Sequence, residues 1–212
     1  MTKKQQEALI IYDEITKLFP NAGCELNYRK DFELLIAIML SAQTTDQSVN
    51  KVTDKLFKKY HNLQEISEAS ISELENDIRN LGLFRNKSKN LHNMAKKILE
   101  KYSGQIPNTQ AELESLPGVG RKTANVYLAE MHHIPRIAVD THVSRVSIRL
   151  GFAKRDSDPK EIEQKLMNLY PQELWISLHH KLIFFGRYFC TSRKPNCKEC
   201  PIIKYCKMPQ LF

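Results

Sequence analysis

The chain has 212 residues, a formal net charge of +8 and a pI near 9.2. A basic excess of this size indicates a polyanionic partner, with nucleic acid ahead of an anionic membrane surface, although solvated surface lysines are the alternative. The longest apolar run, Leu34 to Leu40, is too short to cross a bilayer, and the polar start does not resemble a signal peptide. These features exclude a membrane-spanning protein and predict a cytoplasmic one, nucleoid-associated if bacterial.

Apolar residues recur with helical spacing along the whole chain, and we take them in chain order. The stripes are Ala8/Ile11/Ile15/Leu18, Phe32/Leu35/Ile36/Met39/Leu40, Leu91/Met94/Ala95/Ile98/Leu99, Ile162/Leu166/Leu169 and Leu178/Leu182/Phe185. Pro20 limits the first helix, and Asp158-Pro159 is typical of an N-cap followed by the first helical position. The last helix is expected to end near Gly186. Sustained strand-like alternation is missing, which predicts an all-α fold.

The stretch SLPGVGRKTANVYL, residues 115 to 128, predicts a tight turn between two helices. Pro117 discourages continuation of the first helix, and Gly118 and Gly120 can take positive φ without placing a side chain in the turn. Arg121 then opens a helix whose first N–H groups are free to bind an anion. An ordinary helix corner is the alternative, but the basic residues directly after the glycines favour a phosphate-binding turn.

Four of the five cysteines lie in the last 23 residues, in the pattern Cys190-x6-Cys197-x2-Cys200-x5-Cys206. In a reducing compartment such a group is more typical of metal ligands than of disulfides. Four thiolates suit zinc, but zinc sites usually show two close Cys pairs and this segment has one. The residues alone therefore predict a four-cysteine metal site of open identity.

Together these motifs resemble the endonuclease III family, and the resemblance covers essentially the whole chain. It is carried by LPGVGRKTAN, by IAVDTHVSRV, by LSAQTTDQSVN at residues 40 to 50, by GLFRNKS at residues 82 to 88, and by the cysteine pattern. The resemblance implies a base excision DNA glycosylase that also cleaves abasic sites. It implies damaged double-stranded DNA as the partner, a monomer, and a helix-hairpin-helix motif at about residues 112 to 131.

Lys122 lies at the position of the family's nucleophile, and Asp140 at the position of its catalytic aspartate. An amine attacks the sugar only when neutral, and a lysine in a first helical turn beside Arg121 is disfavoured as the ammonium form. Asp140 can lie at an N-cap, remain ionised there and accept the proton of the amine. The alternatives are a solvated lysine and a plain helix cap. His142 is expected to orient a phosphate or the aspartate.

The resemblance also implies residues that contact DNA. Gln43 would hold the orphaned base and Leu83 would enter the gap left by the flipped nucleotide. The alternatives are a buried or capping Gln43 and a core Leu83, but the cations around Leu83 favour an exposed loop. Phosphate contacts are expected from the hairpin and from basic residues near the cysteines: Gly118, Gly120, Arg121, His142, Arg187, Arg193 and Lys194.

The resemblance turns the cysteine pattern into a prediction of a [4Fe-4S] cluster, with zinc as the alternative. The cluster loop would span residues 190 to 206. The implied architecture has two helical lobes. Residues 24 to 134 form a helical barrel with the hairpin, and residues 1 to 23 join residues 135 to 212 in a discontinuous lobe.

Two other functions are weighed against this one. An adenine-removing relative would have a small polar residue in place of Lys122 and a glutamate near Ile38, and this chain has neither. A non-catalytic DNA-binding protein would use the hairpin and the basic tail without needing the lysine for chemistry.

Overall fold

The protein is described by a computed structural model over residues 1–209, in which α-helices follow one another through short turns. The helices are α1 (Lys3–Leu18), α2 (Asp31–Leu40), α3 (Asp46–Lys59), α4 (Leu63–Glu68), α5 (Ile71–Ile78), α6 (Phe84–Tyr102), α7 (Gln110–Glu114), α8 (Arg121–His132), α9 (Thr141–Arg149), α10 (Pro159–Leu169) and α11 (Trp175–Phe184). Single 3₁₀ turns lie at Gln172–Leu174 and Ile203–Tyr205, and a π-turn lies at Phe185–Phe189. Residues 1–209 contain no β-strand, which confirms the predicted all-α fold. The last three residues of the predicted second lobe, 210 to 212, lie outside the described residues.

The helices form two compact units. Unit 1 comprises Met1–Cys24 together with His133–Phe212, and unit 2 comprises Glu25–His132. Each unit has an apolar core of its own, as its amphipathic helices require.

Unit 2 is organised around α2, which is buried from Phe32 to Leu40 and packs on α3, α6 and α8. The stripe of α6 that includes Leu91, Met94, Ala95 and Ile98 is also buried. Full burial of one such side chain contributes roughly 1.5–3 kcal/mol, so this core anchors the turns at its surface. α7 packs on α8, and the turn between these two helices is the predicted hairpin.

Unit 1 is organised around α9, which packs on α10, α11 and the π-turn. Its core joins Ile11 and Ile15 of α1 with Val143 and Val146 of α9 and with apolar residues of α10 and α11. Asp158 caps α10 through the backbone N–H of Glu161, and Pro159 takes the first helical position, as predicted.

α11 ends at Phe184, two residues before Gly186, which confirms the expected helix end near Gly186. The chain continues directly into the π-turn, where Gly186 serves close packing. A Cβ atom at position 186 would lie 2.9 Å from Cβ of His142 and 3.3 Å from Nη2 of Arg145. Gly186 therefore lets α9 approach the π-turn more closely than any other residue would.

Candidate functional site

The turn between α7 and α8 needs a glycine at position 118 for two reasons. Gly118 has φ +78°, and a Cβ atom there would lie only 2.9 Å from Cβ of Asn90. Gly120, which could also have taken positive φ, does not do so. A Cβ at position 120 would meet nothing within 4 Å, and the Gly120 carbonyl accepts the N–H of Ala124 at 3.0 Å to start α8.

Lys122 is the second residue of α8 and is exposed, as is Arg121 before it. The helix is fixed from its other side, where Ala124, Tyr127 and Leu128 are buried. The predicted place of Lys122, in the first turn of a helix after a glycine turn, is confirmed. The amine is thus presented to solvent on a helix that is held in place by the core of unit 2.

Two further turns of unit 2 carry Gln43 and Leu83. Both residues have left-handed backbone conformations, with φ 54° at Gln43 and φ 59° at Leu83, which is uncommon for residues other than glycine. Both side chains are exposed, and 54% of the Leu83 surface is accessible. This exposure excludes the alternatives of a buried Gln43 and a core Leu83. The roles of both residues on DNA remain predictions.

Asp140 is the N-cap of α9. One of its carboxylate oxygens accepts the backbone N–H groups of His142 and Val143, each at 2.8 Å. The predicted capping position is confirmed. Since these amides also lie at the positive end of the α9 dipole, the carboxylate has a fixed orientation and a favourable potential.

The ring of His142 is turned toward Arg145. Nδ1 of His142 lies 3.2 Å from Nη2 of Arg145, which identifies the imidazole as the acceptor, and Arg145 also donates to the carbonyl of Gly186 at 2.7 Å. Burial lowers the pKa of His142 and outweighs the opposing charge of Asp140, and the charges of Arg145 and Arg187 lower the pKa further. It is the backbone N–H of His142, rather than its ring, that orients Asp140.

The four clustered cysteines line one apolar cavity of unit 1. Its walls include Val146, Leu150, Phe185 and Ile202 together with Cys190, Cys197, Cys200 and Cys206. Burial, with the neighbouring thiols, raises the pKa of Cys200 to about 11. Within residues 1–209 no three His, Cys, Asp or Glu side chains form a group that could hold a metal ion. The four thiols line the same cavity without forming such a group.

Arg149 joins α9 to the segment that begins at Cys190. Its guanidinium donates to the carbonyls of Cys190, Thr191 and Ser192 at 2.8–3.2 Å, and it lies 3.1 Å from Sγ of Cys190. Arg145 adds a bond from Nε to the carbonyl of Cys190 at 3.2 Å. Two arginines one helical turn apart thus fix the first residues of the cysteine segment.

The basic residues expected to contact phosphates differ in exposure. Arg193 and Lys194 are exposed in the segment after Cys190, whereas Arg187 is half-buried in the π-turn. Exposed cations can reach a phosphate without desolvation of other groups, so Arg193 and Lys194 are the better placed of the three.

Comparisons with known proteins agree with this arrangement. Residues 36–172 match the model of the HhH-GPD superfamily of base excision DNA repair proteins. Endonuclease III of Bacillus subtilis (strain 168) is 48% identical over 198 residues, which cover 93% of this chain and 90% of the relative. The chain belongs to the endonuclease III family.

Two further relatives extend the match to another bacterium and to solved structures. Endonuclease III of Escherichia coli (strain K12) is 43% identical over 188 residues, 89% of each chain. The structure of a trapped endonuclease III–DNA covalent intermediate superimposes with a TM-score of 0.94 at 49% identity and covers 98% of this chain and 97% of that one. As a member of the endonuclease III family, the chain is an enzyme of base excision repair, a DNA glycosylase with abasic-site lyase activity.

Three further residues of the chain were not predicted from its amino-acid sequence. Arg145 and Arg149 were missed because carbonyl acceptors have no sequence signature, although their i, i+4 spacing directly after Asp140 was visible. Lys87 is 4% exposed and donates from Nζ to Oγ1 of Thr44 at 2.8 Å. It stands four residues before Leu91, in line with the apolar stripe of α6, and a lysine at a core-facing position was the available signal.

No helix in residues 1–209 is long and apolar enough to cross a membrane.

Proposed function

We propose that this enzyme removes oxidised pyrimidines from duplex DNA with Lys122 as its nucleophile and cleaves the strand 3′ to the lesion by β-elimination. One observation carries the proposal. A relative that is 49% identical over nearly the whole chain forms a covalent intermediate with DNA, and Lys122 is an exposed amine at the start of a helix behind a glycine turn. A covalent intermediate requires a nucleophilic side chain, and a lysine amine provides one.

The reaction of Lys122 consists of a substitution, in which the amine replaces the base at C1′, and an elimination of the 3′ phosphate. Nζ bonds to C1′ of the sugar as the glycosidic bond breaks and the base leaves with the electron pair and a proton. Loss of one amine proton, and opening of the ring with a proton from water on O4′, give a protonated Schiff base. This iminium acidifies the hydrogen on C2′, and its removal expels the 3′ phosphate by cleavage of the C3′–O bond. The strand is then broken without hydrolysis of a phosphodiester.

Asp140 is proposed as the carboxylate that supports this substitution at C1′. A carboxylate can accept a proton from the amine and can stabilise positive charge that develops on the sugar. The two backbone N–H groups that orient Asp140 both donate to the same carboxylate oxygen, so the other oxygen is available to reacting groups. The capping bonds therefore support the catalytic role rather than compete with it.

The contacts with damaged DNA are proposed for three sets of residues. Gln43 and Leu83 are proposed to fill the gap and hold the unpaired partner base, because each is an exposed side chain on a strained turn. The amides after Gly118 and Gly120, with Arg121, are proposed to bind a phosphate. His142, Arg187, Arg193 and Lys194 are proposed as further phosphate contacts. In this scheme residues 24 to 134 and the remainder of the chain act as two lobes.

The cofactor is proposed to be a [4Fe-4S] cluster held by Cys190, Cys197, Cys200 and Cys206. The donor set fits, since four thiols line one apolar cavity and an arginine N–H points at one of the sulfurs. Such a cluster would supply a covalent cross-link that folds the segment of residues 190 to 206. Zinc is the alternative, and metal analysis of freshly purified protein separates them. Roughly four irons per chain support the cluster, whereas stoichiometric zinc without iron contradicts it.

Trapping with borohydride tests the nucleophile. Wild-type protein incubated with a duplex containing thymine glycol and a reducing agent should become covalently attached to the DNA. Lys122→Gln should lose the adduct and the strand cleavage while it retains DNA binding in a gel-shift assay. Lys160→Gln, which removes an exposed lysine of α10, is the matched control and should react like the wild type.

The same assay separates the two other functions. Adducts that persist in Lys122→Gln would remove Lys122 as the nucleophile. A wild-type protein that binds DNA but never forms an adduct would be a non-catalytic binding protein. Release of adenine from a mispaired duplex, with no action on thymine glycol, would favour the adenine-removing class, although position 38 of α2 is a buried isoleucine rather than a glutamate.

The proposed working form is a monomer in the cytoplasm, at the nucleoid if the cell is bacterial. One catalytic lysine and one DNA-binding hairpin per chain suffice for the reaction. Light scattering should give a mass near that of one chain, 24.7 kDa. A stable dimer would contradict this part of the proposal.

A further inference from the structure

The turns that carry Gln43 and Leu83 touch each other in unit 2. A Cβ atom built on Gly82 would lie 4.0 Å from the carbonyl oxygen of Gln43 and 4.0 Å from Oγ1 of Thr44. Each turn contains one residue with positive φ, at 54° for Gln43 and 59° for Leu83. A left-handed conformation costs such a residue roughly 1 kcal/mol or more, so the surrounding contacts must hold both turns in place.

Lys87 is bonded to both turns at once. Its backbone N–H donates to the carbonyl of Leu83 at 3.0 Å, which closes the first turn of α6. Its ammonium reaches the other turn, where Nζ donates to Oγ1 of Thr44 at 2.8 Å. Thr44 directly follows Gln43, and its own N–H donates to the carbonyl of Ser41 at 3.0 Å. One residue therefore connects the Leu83 turn and the Gln43 turn.

The charge of Lys87 makes this connection unusual. The side chain is 4% exposed, and burial lowers its pKa with no offsetting carboxylate among the described residues. Within residues 1–209, Thr44 is the one side-chain partner of the ammonium. The position continues the apolar stripe that includes Leu91 and Met94, where a leucine or methionine would pack without loss of hydration. A buried ammonium here is costly for stability alone.

We propose that Lys87 is a positioning residue that holds the Gln43 and Leu83 turns in one register, so that both side chains enter the duplex together when the damaged nucleotide is flipped. The inference rests on the proposed function, in which Gln43 and Leu83 fill the gap. It adds a residue that does not itself contact DNA. A substitution can remove the Lys87–Thr44 hydrogen bond without changing Gln43 or Leu83.

The test compares cleavage of an abasic site in duplex DNA with cleavage of the same site in a single strand. A single strand has no partner base to hold and no stack to open, so it needs Lys122 but not the two turns. Lys87→Met and Thr44→Val each remove the bond and nearly conserve the shape. We expect each to lower kcat/KM on the duplex about tenfold, as for a hydrogen bond to a charged group, with single-strand cleavage unchanged.

Coupling between the two positions distinguishes positioning from general loss of stability. The double variant should be no worse than the poorer single variant, because both substitutions remove the same bond. Thr44→Ser keeps the hydroxyl and should restore duplex cleavage. With 2-aminopurine placed opposite the abasic site, Lys87→Met should show a smaller rise in fluorescence on binding than the wild type. Lys96→Met changes an exposed lysine farther along α6 and should leave all of these signals unchanged.

Equal losses on the duplex and the single strand, or additive effects in the double variant, would overturn the role of Lys87. If Lys87→Met does not fold, the contrast between Thr44→Val and Thr44→Ser decides the question, since it removes and restores one hydroxyl in a half-buried turn. A wild-type protein that cleaves neither substrate would instead overturn the proposed function. The two failures therefore give different results.

Discussion

The hairpin of unit 2 and the α9 region of unit 1 carry the two residues proposed for the chemistry, and they hold them by different means. Lys122 stands on a helix start that depends on backbone geometry, with Gly118 at φ +78° and an open space beside Gly120. Asp140 caps the start of α9, and this helix is tied to distant segments by side-chain bonds, with Arg145 and Arg149 reaching carbonyls that lie 41 to 45 residues away in the chain.

The difference indicates what each region can tolerate. A turn made by backbone geometry is exposed and leaves room for a ligand, but it depends on one glycine. A network of guanidinium bonds is robust to single exposed substitutions, but loss of its central donor leaves several acceptors unsatisfied. Substitutions in the two regions, and a change of pH, test this contrast.

Arg149→Met should have the largest effect on stability. The carbonyls of Thr191 and Ser192 and Sγ of Cys190 lose the guanidinium donor, whereas the Cys190 carbonyl keeps its bond from Arg145. We expect a loss of about 3 kcal/mol in the free energy of unfolding. Urea unfolding measures the loss, and hydrogen exchange should localise it to residues 190 to 206. Arg193→Met, which removes an exposed arginine from the same segment, should change stability by less than about 0.5 kcal/mol. Equal losses would show that the network does not hold the segment.

Gly118→Ala should come next, with a loss of about 2 kcal/mol from positive φ and the contact with Asn90. Gly120→Ala should cost less than about 1 kcal/mol, because position 120 has open space and ordinary φ and loses only a favourable cap residue. Thermal unfolding measures both. Asn90→Ala in the Gly118→Ala background should recover only a small part of the loss, because alanine keeps the Cβ atom that makes the shortest contact. Equal sensitivity of the two glycines would refute a turn that depends on Gly118.

Two substitutions of Asp140 separate the effect of its helix cap from the effect of its charge. Asp140→Ala should cost about 1 kcal/mol of stability, because the backbone N–H groups of His142 and Val143 lose their acceptor. Asp140→Asn keeps an acceptor oxygen and should be nearly as stable as the wild type, yet it removes the carboxylate. Both variants should lose lyase activity if the charge is needed. An active Asp140→Asn would restrict the residue to its capping role.

The smallest expected effect is a pH dependence from His142. Burial holds its pKa below the ordinary value of 6.5, with help from Arg145 and Arg187 and against Asp140 and the carbonyl of Gly186. The unfolded chain then binds the proton more readily, so this contribution to stability is complete above pH 6.5 and decreases as the pH falls below it. Stability measured against pH for wild type and His142→Gln should show the decrease in the wild type alone. Parallel curves would contradict it.

Much of the fold followed from local pattern. The helical stripes, the absence of strand alternation and the cap at Asp158-Pro159 were predicted and confirmed, because each depends on contacts within about one helical turn. The exposed start of α8 at Lys122 and the N-cap at Asp140 were predicted on the same basis. The catalytic and DNA-binding roles, the cluster and the two lobes remain predictions that the proposed experiments test.

Three features could not be read from local pattern. Gly186 was expected near a helix end, and α11 does end at Phe184, but the pattern did not show that the close approach of His142 and Arg145 requires a glycine there. Lys87 was one of the cations near Leu83 that favoured an exposed loop, yet it is buried and bonded to Thr44, which lies 43 residues away in the chain. Gly118 and Gly120 could both take positive φ, and only the packed turn shows that Gly118 does so and Gly120 does not.

The helices, their caps and the motifs that identify the family follow from the amino-acid sequence, since these depend on residues within a few positions of one another. Tertiary packing settles which glycine bears the strain, which charges are buried, and which carbonyls the arginines bind. These outcomes depend on segments that are distant in the chain, as for Lys87 and Thr44 or Arg149 and Cys190, and a buried charge is tolerated only where the completed fold brings it a partner.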